Sequence, residues 1–382
     1  MSCTNVFQAI RDLYPEYLQI WEDISNIESP TDYKEGVDAV GRYLIALAEK
    51  NGWEVKVCPQ PVSGDAICIT MNAGAAEAPV SVSGHMDTVQ PLGSFGTPAV
   101  KKDREKMYGP GVHDCKGGVV VGLLAMAALQ KCGYQKRPVQ MLLQSDEENG
   151  SKTSNKETIQ WICRQAQNSI AFFNLEGSGA GKATIERKGI ARYQITASGK
   201  QAHSGKCDEG ASAIAEAAHM ILELEKFKNQ KTLTCNCGTI TGGSTPNTVP
   251  GSCTFVADFR YSTQEDKETA ENAVRKVCET AYIEGCTATY SLLSYRVSMP
   301  IRQRNVELLE KVNQFLAQEG LQTLVGDKKP GGSDGSDVSE FGIPCLDNLG
   351  IRGGKSHSED EFAYLASLED CAKQLAAILY NI

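Results

Sequence analysis

Apolar and polar positions along the chain follow two periods that alternate. Val6, Ile10 and Leu13 recur at helical spacing. Val37, Val40, Leu44, Leu47 and Ala48 repeat it between Thr31 and Asn51, with Thr31 or Asp32 as N-cap and Gly52 as the stop. Strand-like runs follow at Trp53 to Cys58 and Ala66 to Met71, and Pro79 to Val89 alternates Val and Ser into Gly84. Lys101 to Met107 is polar and predicts a hairpin. Gly117 to Lys131 then predicts a helix, and Pro138 to Ser145 and Ser169 to Leu175 predict buried strands. Helices alternating with strands in this way predict an α/β fold, a mostly parallel sheet with helices on both faces.

The pattern changes at Gly189. Ile190 to Ala197 reads as a strand, Ala211 to Lys226 as a helix, Leu233 to Thr241 and Cys253 to Tyr261 as strands, Lys267 to Ile283 as a helix and Cys286 to Leu293 as a strand. The order βαββαβ predicts a ferredoxin-like α+β domain. It is an insertion, because the earlier alternation resumes with a helix at Val306 to Glu319, a Gly-rich loop at Gly331 to Gly335, a strand at Pro344 to Leu349 and a closing helix at Ser367 to Tyr380. The expected division is a discontinuous catalytic domain, 1–188 and 295–382, and a lid domain, 189–294.

Length agrees with two domains, since 382 residues exceed a typical single core. A net charge of −9 argues against nucleic acid as a partner. No apolar run approaches the ~20 residues of a membrane span, and the opening residues predict no leader to be removed. The 14 cysteines are scattered from Cys3 to Cys371 without a Cys-x-x-Cys pair. They read as reduced, mostly buried thiols, which predicts a cytoplasmic protein.

Candidate chemistry gathers where strands end. His85 and Asp87 follow the Val/Ser strand two residues apart, so His85 can ligate a metal while Asp87 holds its other ring nitrogen. Pro138 to Ser145 ends in Asp146-Glu147-Glu148, Ser169 to Leu175 ends in Glu176, and the loop after Pro344 to Leu349 carries His357. Gly109 to Gly118 delivers Asp114 to the start of a helix. Ligands in open α/β sheets bind outside the carboxyl ends of strands, which is where these groups stand. Any one of them alone reads as a solvated turn, but four carboxylates and two imidazoles on one rim do not. The Gly109 to Gly118 loop lacks the Gly-Lys-Ser/Thr ending of a phosphate cradle despite Lys116, and its glycines read as aiming Asp114. His113 reads as a bystander and His219 as a packed or surface residue.

The set His85-x-Asp87, Gly-x-Gly-x-x-Asp114-x-Lys-Gly-Gly, Glu147-Glu148, Glu176 and His357 resembles the two-zinc metallopeptidase family of glutamate carboxypeptidases, aminoacylases and succinyl-diaminopimelate desuccinylases. Glu186 to Gly189, Gly242 to Pro250 and His357 to Glu361 look closest to the glutamate carboxypeptidase branch. The resemblance implies two zinc ions, in sites that manganese or cobalt can also occupy. Asp114 would bridge them, His85 and Glu176 would complete one site, and Glu148 and His357 the other. Glu147 would be the general base and Asp87 the group that orients His85. A cis peptide is implied at Asp114-Cys115. His203, in Gln201 to Gly205, resembles a lid histidine that reaches into a partner's active site, which implies a homodimer through the lid. Asn247 and Arg260 match positions that grip the substrate, and they are expected to pair across a short turn. The implied activity is hydrolysis of the amide of a small peptide or N-acyl amino acid with a free C-terminal carboxylate, as a carboxypeptidase does. An N-acyl amino acid deacylase, such as an aminoacylase, or a dipeptidase would use the same residues. An inactive metal-binding relative would have lost a ligand, and none is missing.

Overall fold

The computed structural model describes residues 3–228 and 231–382. It falls into two compact units, Met1–Ile185 with Ile301–Lys328 and Ser333–Ile382, and Glu186–Pro300 with Lys329–Gly332. The first boundary therefore lies at Ile185/Glu186 rather than Lys188/Gly189. The return lies at Pro300/Ile301, and a four-residue piece of the later loop belongs to the second unit.

The first unit is built on a six-stranded sheet whose spatial order is Glu54–Cys58, Ala66–Met71, Val139–Gln144, Val80–His85, Phe172–Asn174, Cys345–Leu346. Ala66–Met71 runs antiparallel to both of its neighbours, Glu54–Cys58 and Val139–Gln144, and the remaining three pairs are parallel. Ala66–Met71 and Val80–His85 are buried along their whole length, as strands covered on both faces must be. The helix Lys116–Lys131 explains the covering. Its run of Val, Leu, Ala and Met is buried through Leu129, all round rather than on one stripe. Each of its large apolar side chains contributes about 1.5–3 kcal/mol by leaving water. It packs against the helices Cys3–Asn26 and Ala366–Asn381, whose apolar faces complete the core.

Close approach at the start of Lys116–Lys131 depends on small residues. A Cβ on Gly118 would fall 1.8 Å from the Leu175 carbonyl oxygen, so a side chain there would push the helix off the strand end that carries Glu176. Gly111 sits at φ +74°, a left-handed conformation that turns the chain into Asp114. The Asp114-Cys115 peptide is cis.

Two elements depart from the sequence expectation. The Gly-rich loop ends in a short helix, Asp334–Glu340. The segment around His357 belongs to an antiparallel sheet of Gly353–Gly354, Phe362–Tyr364, Lys106–Tyr108 and Lys101–Lys102, the last two being the expected hairpin. No helix among the described residues is long and apolar enough to cross a membrane.

The second unit has the ferredoxin-like order. Its four antiparallel strands lie as Leu233–Gly242, Ser252–Tyr261, Gly189–Ser198, Thr287–Arg296, with the helices Ala213–Leu224 and Gln264–Glu279 against the sheet. Alternate residues of Gly189–Ser198 and Ser252–Tyr261 are buried, and Tyr193, Ile195, Phe255 and Phe259 form its core.

Candidate active site

Three parallel strands of the first unit end on the same edge of the sheet, which is why their exits share a rim. His85 closes Val80–His85, Glu147 and Glu148 follow Val139–Gln144, and Glu176 follows Phe172–Asn174. Asp114 stands just before Lys116–Lys131, where the helix dipole favours negative charge.

Asp114 lies between the two imidazoles. Its Oδ1 is 3.0 Å from His85 Nε2 and its Oδ2 is 3.4 Å from His357 Nε2. Beyond His85, Glu176 Oε1 is 3.8 Å from the same nitrogen, and beyond His357, Glu148 Oε2 is 3.2 Å away. The structure thus brings together His85, Asp114, Glu148, Glu176 and His357, two groups to either side of one carboxylate. Ligand atoms of His85, Asp114 and Glu148 lie within 4.8 Å of one another. Those of His85, Cys115 and Glu176 do so too, and no other such group occurs among the described residues. Cys115 was not singled out by sequence. Its Sγ donates to the Leu175 carbonyl at 3.2 Å, and burial pushes its thiol well up.

The charges are those of a site made for cations. Hydrogen bonds to Asp114 and then Glu148 raise the His357 imidazole to about 11. Burial works to lower His85, but Cys115, Asp114, Asp87 and Glu176 outweigh it and the net shift is upward. Burial pushes Glu148 up to about 8, with Asp114 adding to the effect. Nitrogen and oxygen donors in this mixture suit zinc.

Asp87 does more than face His85. His85 Nδ1 is 2.9 Å from the Asp87 backbone carbonyl and 3.4 Å from its carboxylate. That carboxylate, fully buried, accepts from the Glu147 and Glu148 amides, each at 3.1 Å, and from the Thr31 hydroxyl at 2.7 Å. Burial acts to raise it, but His85, Thr31 and the Glu148 amide hold it below the ordinary carboxylate range. One side chain therefore fixes both the imidazole and the acidic turn.

Sequence reasoning missed Thr31 in this role, and it missed Glu361 and Gln90. Glu361 Oε1 accepts from the backbone N–H of His113 at 2.9 Å and of Asp114 at 3.0 Å, and its Oε2 accepts from Gln90 Nε2 at 2.7 Å. Lys116 is also wholly buried. It donates to the Ile27 carbonyl at 2.7 Å, and burial pushes it down to about 7. His113 packs on Gly177 and meets Ser356 Oγ at 2.8 Å, while His219 stacks on Tyr282.

His203, Asn247 and Arg260 belong to the second unit. His203 is exposed, its Nδ1 accepts from the Gly205 amide, and its strand-like segment bridges Thr248. The Ser204 amide donates to the Asn247 carbonyl at 3.0 Å, so His203 and Asn247 are neighbours. Arg260 is not near them. It stands at the far end of Ser252–Tyr261, eight residue steps and about 26 Å from Ser252 at ~3.3 Å per residue. The expected pairing of Arg260 with Asn247 across a short turn is therefore corrected: most of the strand Ser252–Tyr261 separates them. The Arg260 guanidinium is instead forked onto Asp258, with Nε to Oδ1 at 2.7 Å, and Asp258 is shared with Arg192.

A parallel-sheet α/β unit with carboxylates and imidazoles at its strand ends, interrupted by a ferredoxin-like unit, is the build of a peptidase or amidohydrolase. The chain belongs to Peptidase family M20/M25/M40, whose model matches residues 82–381. Carboxypeptidase G2 of Pseudomonas sp. (strain RS-16) is 28% identical over 361 residues, covering 93% of this chain and 86% of that protein. Succinyl-diaminopimelate desuccinylase of Magnetococcus marinus (strain ATCC BAA-1437 / JCM 17883 / MC-1) is 24% identical over 278 residues, 68% of this chain and 71% of that one. Among solved structures, aminopeptidase PepT from Bacillus cereus ATCC 10987 superposes with a TM-score of 0.81 at 18% identity, covering 96% and 98% of the two chains. That likeness shows the shared fold.

Proposed function

We propose that the protein is a two-metal hydrolase that cleaves the amide of a small peptide or N-acyl amino acid with a free C-terminal carboxylate. The observation that carries this is the placement of Asp114, one oxygen toward His85 and the other toward His357, with Glu176 and Glu148 flanking them. In this reading Asp114 is the shared ligand, His85 and Glu176 hold one ion, and Glu148 and His357 the other. When bound, the ions acidify a water and polarise the scissile carbonyl. Zinc fits the donors best, and manganese or cobalt could replace it. Glu147, buried and held at its backbone by Asp87, takes the proton of the attacking water and returns it to the leaving nitrogen.

The second unit supplies the grip on substrate. His203 and Asn247 share one end of it and Arg260 the other, so a single substrate held by all three requires two copies of the chain. His203, which would stabilise the developing oxyanion, would come from the partner. A homodimer through this unit is further supported by its edge strands, which expose Ile240, Tyr290, Leu292 and Leu293. Arg260 can receive a carboxylate in a bidentate fork, which favours carboxypeptidase-like cleavage over an aminopeptidase reading. All 14 cysteines are unpaired, which supports a reducing, cytoplasmic location.

The test is a panel of dipeptides and N-acyl amino acids, each with free and amidated C-termini, assayed with added zinc. Turnover of free acids and not of amides is expected. Glu147→Gln should lower kcat by roughly 10²–10⁴-fold while zinc content stays unchanged. A variant that keeps most of its activity would place the base elsewhere.

A further inference from the structure

Glu361 carries no part in the chemistry above, yet it is fully buried directly behind the turn that bears Asp114. The small antiparallel sheet puts it there: Phe362 pairs with Tyr108, and the Glu361 carbonyl accepts from the Gly109 amide at 3.3 Å. Its Oε1 takes the two successive amides of His113 and Asp114, and its Oε2 is occupied by Gln90. Two N–H groups converging on one oxygen fix the direction of the peptide between them, and with it the exit of the Asp114 side chain. Asp87 likewise takes the two successive amides of Glu147 and Glu148, one on each carboxylate oxygen. Glu361 is not among the gathered ligand atoms. Burying a carboxylate costs several kcal/mol unless it is fully hydrogen-bonded, so a group placed here without a task would be an expensive way to fill space.

We infer that Glu361 is a positioning residue for metal binding, clamping the His113–Asp114 backbone so that the two oxygens of Asp114 face His85 and His357 together. The inference rests on the reading of Asp114 as the shared ligand. Such partners of ligands typically account for about 10–100-fold in metal affinity.

The experiment is titration of metal-free protein with Zn²⁺ by calorimetry, alongside far-ultraviolet circular dichroism. Glu361→Ala should bind zinc about 10–100-fold more weakly while its folded signal is retained. Glu361→Gln keeps an oxygen for both amides, and Gln90 can turn its amide, whose Oε1 has no partner, toward the new NH₂ group. This variant should recover most of the affinity, a rescue that loss of packing would not produce. Wild-type affinity in Glu361→Ala, or an affinity in Glu361→Gln as low as in Glu361→Ala, overturns the inference. Should Glu361→Ala not fold, Gln90→Leu removes only the donor to Oε2. It should weaken zinc binding by a smaller factor, and unchanged affinity there is equally fatal. Asp114→Asn separates the two levels. If it binds zinc like the wild type, the shared-ligand reading falls and the clamp with it. If it loses zinc while the Glu361 variants do not, only the clamp falls.

Discussion

Replacing Asp87 by asparagine changes one oxygen to an NH₂ group and leaves the shape of the side chain. In the native protein Oδ1 accepts from the Glu147 amide, and Oδ2 accepts from the Glu148 amide and the Thr31 hydroxyl. A carboxamide has one oxygen, so whichever way it faces, its NH₂ meets one of the two backbone amides and that N–H is left buried without an acceptor. A stranded buried donor costs about 1–3 kcal/mol, and weakening the surviving bonds from charge-assisted to neutral adds ~1 kcal/mol. The total of roughly 2–4 kcal/mol is a large share of the ~5–15 kcal/mol that holds a domain together. The three tryptophans, Trp21, Trp53 and Trp161, all lie in the first unit, so urea unfolding of metal-free protein followed by tryptophan fluorescence reports this unit alone. The midpoint should fall with an unchanged slope, and zinc affinity should drop by about 10–100-fold because His85 and the acidic turn loosen together. An Asp87→Asn protein within ~0.5 kcal/mol of wild type, the range of an uninvolved surface change, would refute the account of Asp87 as a double anchor.

Metal loading at neutral pH should release more than one proton per chain, because the His357 imidazole is raised to about 11 and His85 is raised as well. Protons hold these ligands until the pH exceeds the raised values, so zinc affinity should fall as pH falls, and a flat affinity between roughly pH 6 and 9 would contradict the charge pattern. Arg260→Ala should lower kcat/KM on free-acid substrates on the order of 100-fold and lose little on amidated ones. Equal losses on both would show that the guanidinium does not read the carboxylate. Sedimentation equilibrium should give a dimer, and mixing inactive His203→Ala with inactive Glu147→Gln chains should restore about a quarter of wild-type activity, since half of the randomly paired dimers then carry one complete site. A monomer, or no recovery after subunit exchange, would remove the role of His203 across the interface.

The strand ends were legible in sequence because a parallel strand buried on both faces leaves few polar residues, and His85, Glu147, Glu148 and Glu176 stand at such exits. Asp114 was legible through the glycines that a close helix–strand contact requires. Glu361 was not, since the acidic run Ser356 to Glu361 has the composition of a solvated turn. Only the pairing of Phe362–Tyr364 with Lys106–Tyr108, a contact between segments some 250 residues apart, buries it. The helix Asp334–Glu340 was hidden by Gly335, Ser336 and Ser339, poor helix formers in isolation, although Ser333 followed by Asp334 is a usable start signal. The separation of Asn247 from Arg260 was open to arithmetic: a strand at Cys253 to Tyr261 is too long for its two ends to share one pocket.

The insertion of Glu186–Pro300 within the first unit has a consequence for biogenesis. During translation the ribosome releases His85, Asp114, Glu148 and Glu176 first, then a self-contained antiparallel unit, and only afterwards His357, the strand Cys345–Leu346 and the helix Ala366–Asn381 that covers Lys116–Lys131. Until those last residues emerge, one face of the buried helix is uncovered and the acidic rim lacks its second imidazole. Nascent chains therefore expose apolar surface for the time it takes to make the intervening segment, roughly 10 s or more at ~5–20 residues per second. Chains truncated after the insertion should be clients of chaperones and proteases rather than partly active enzymes.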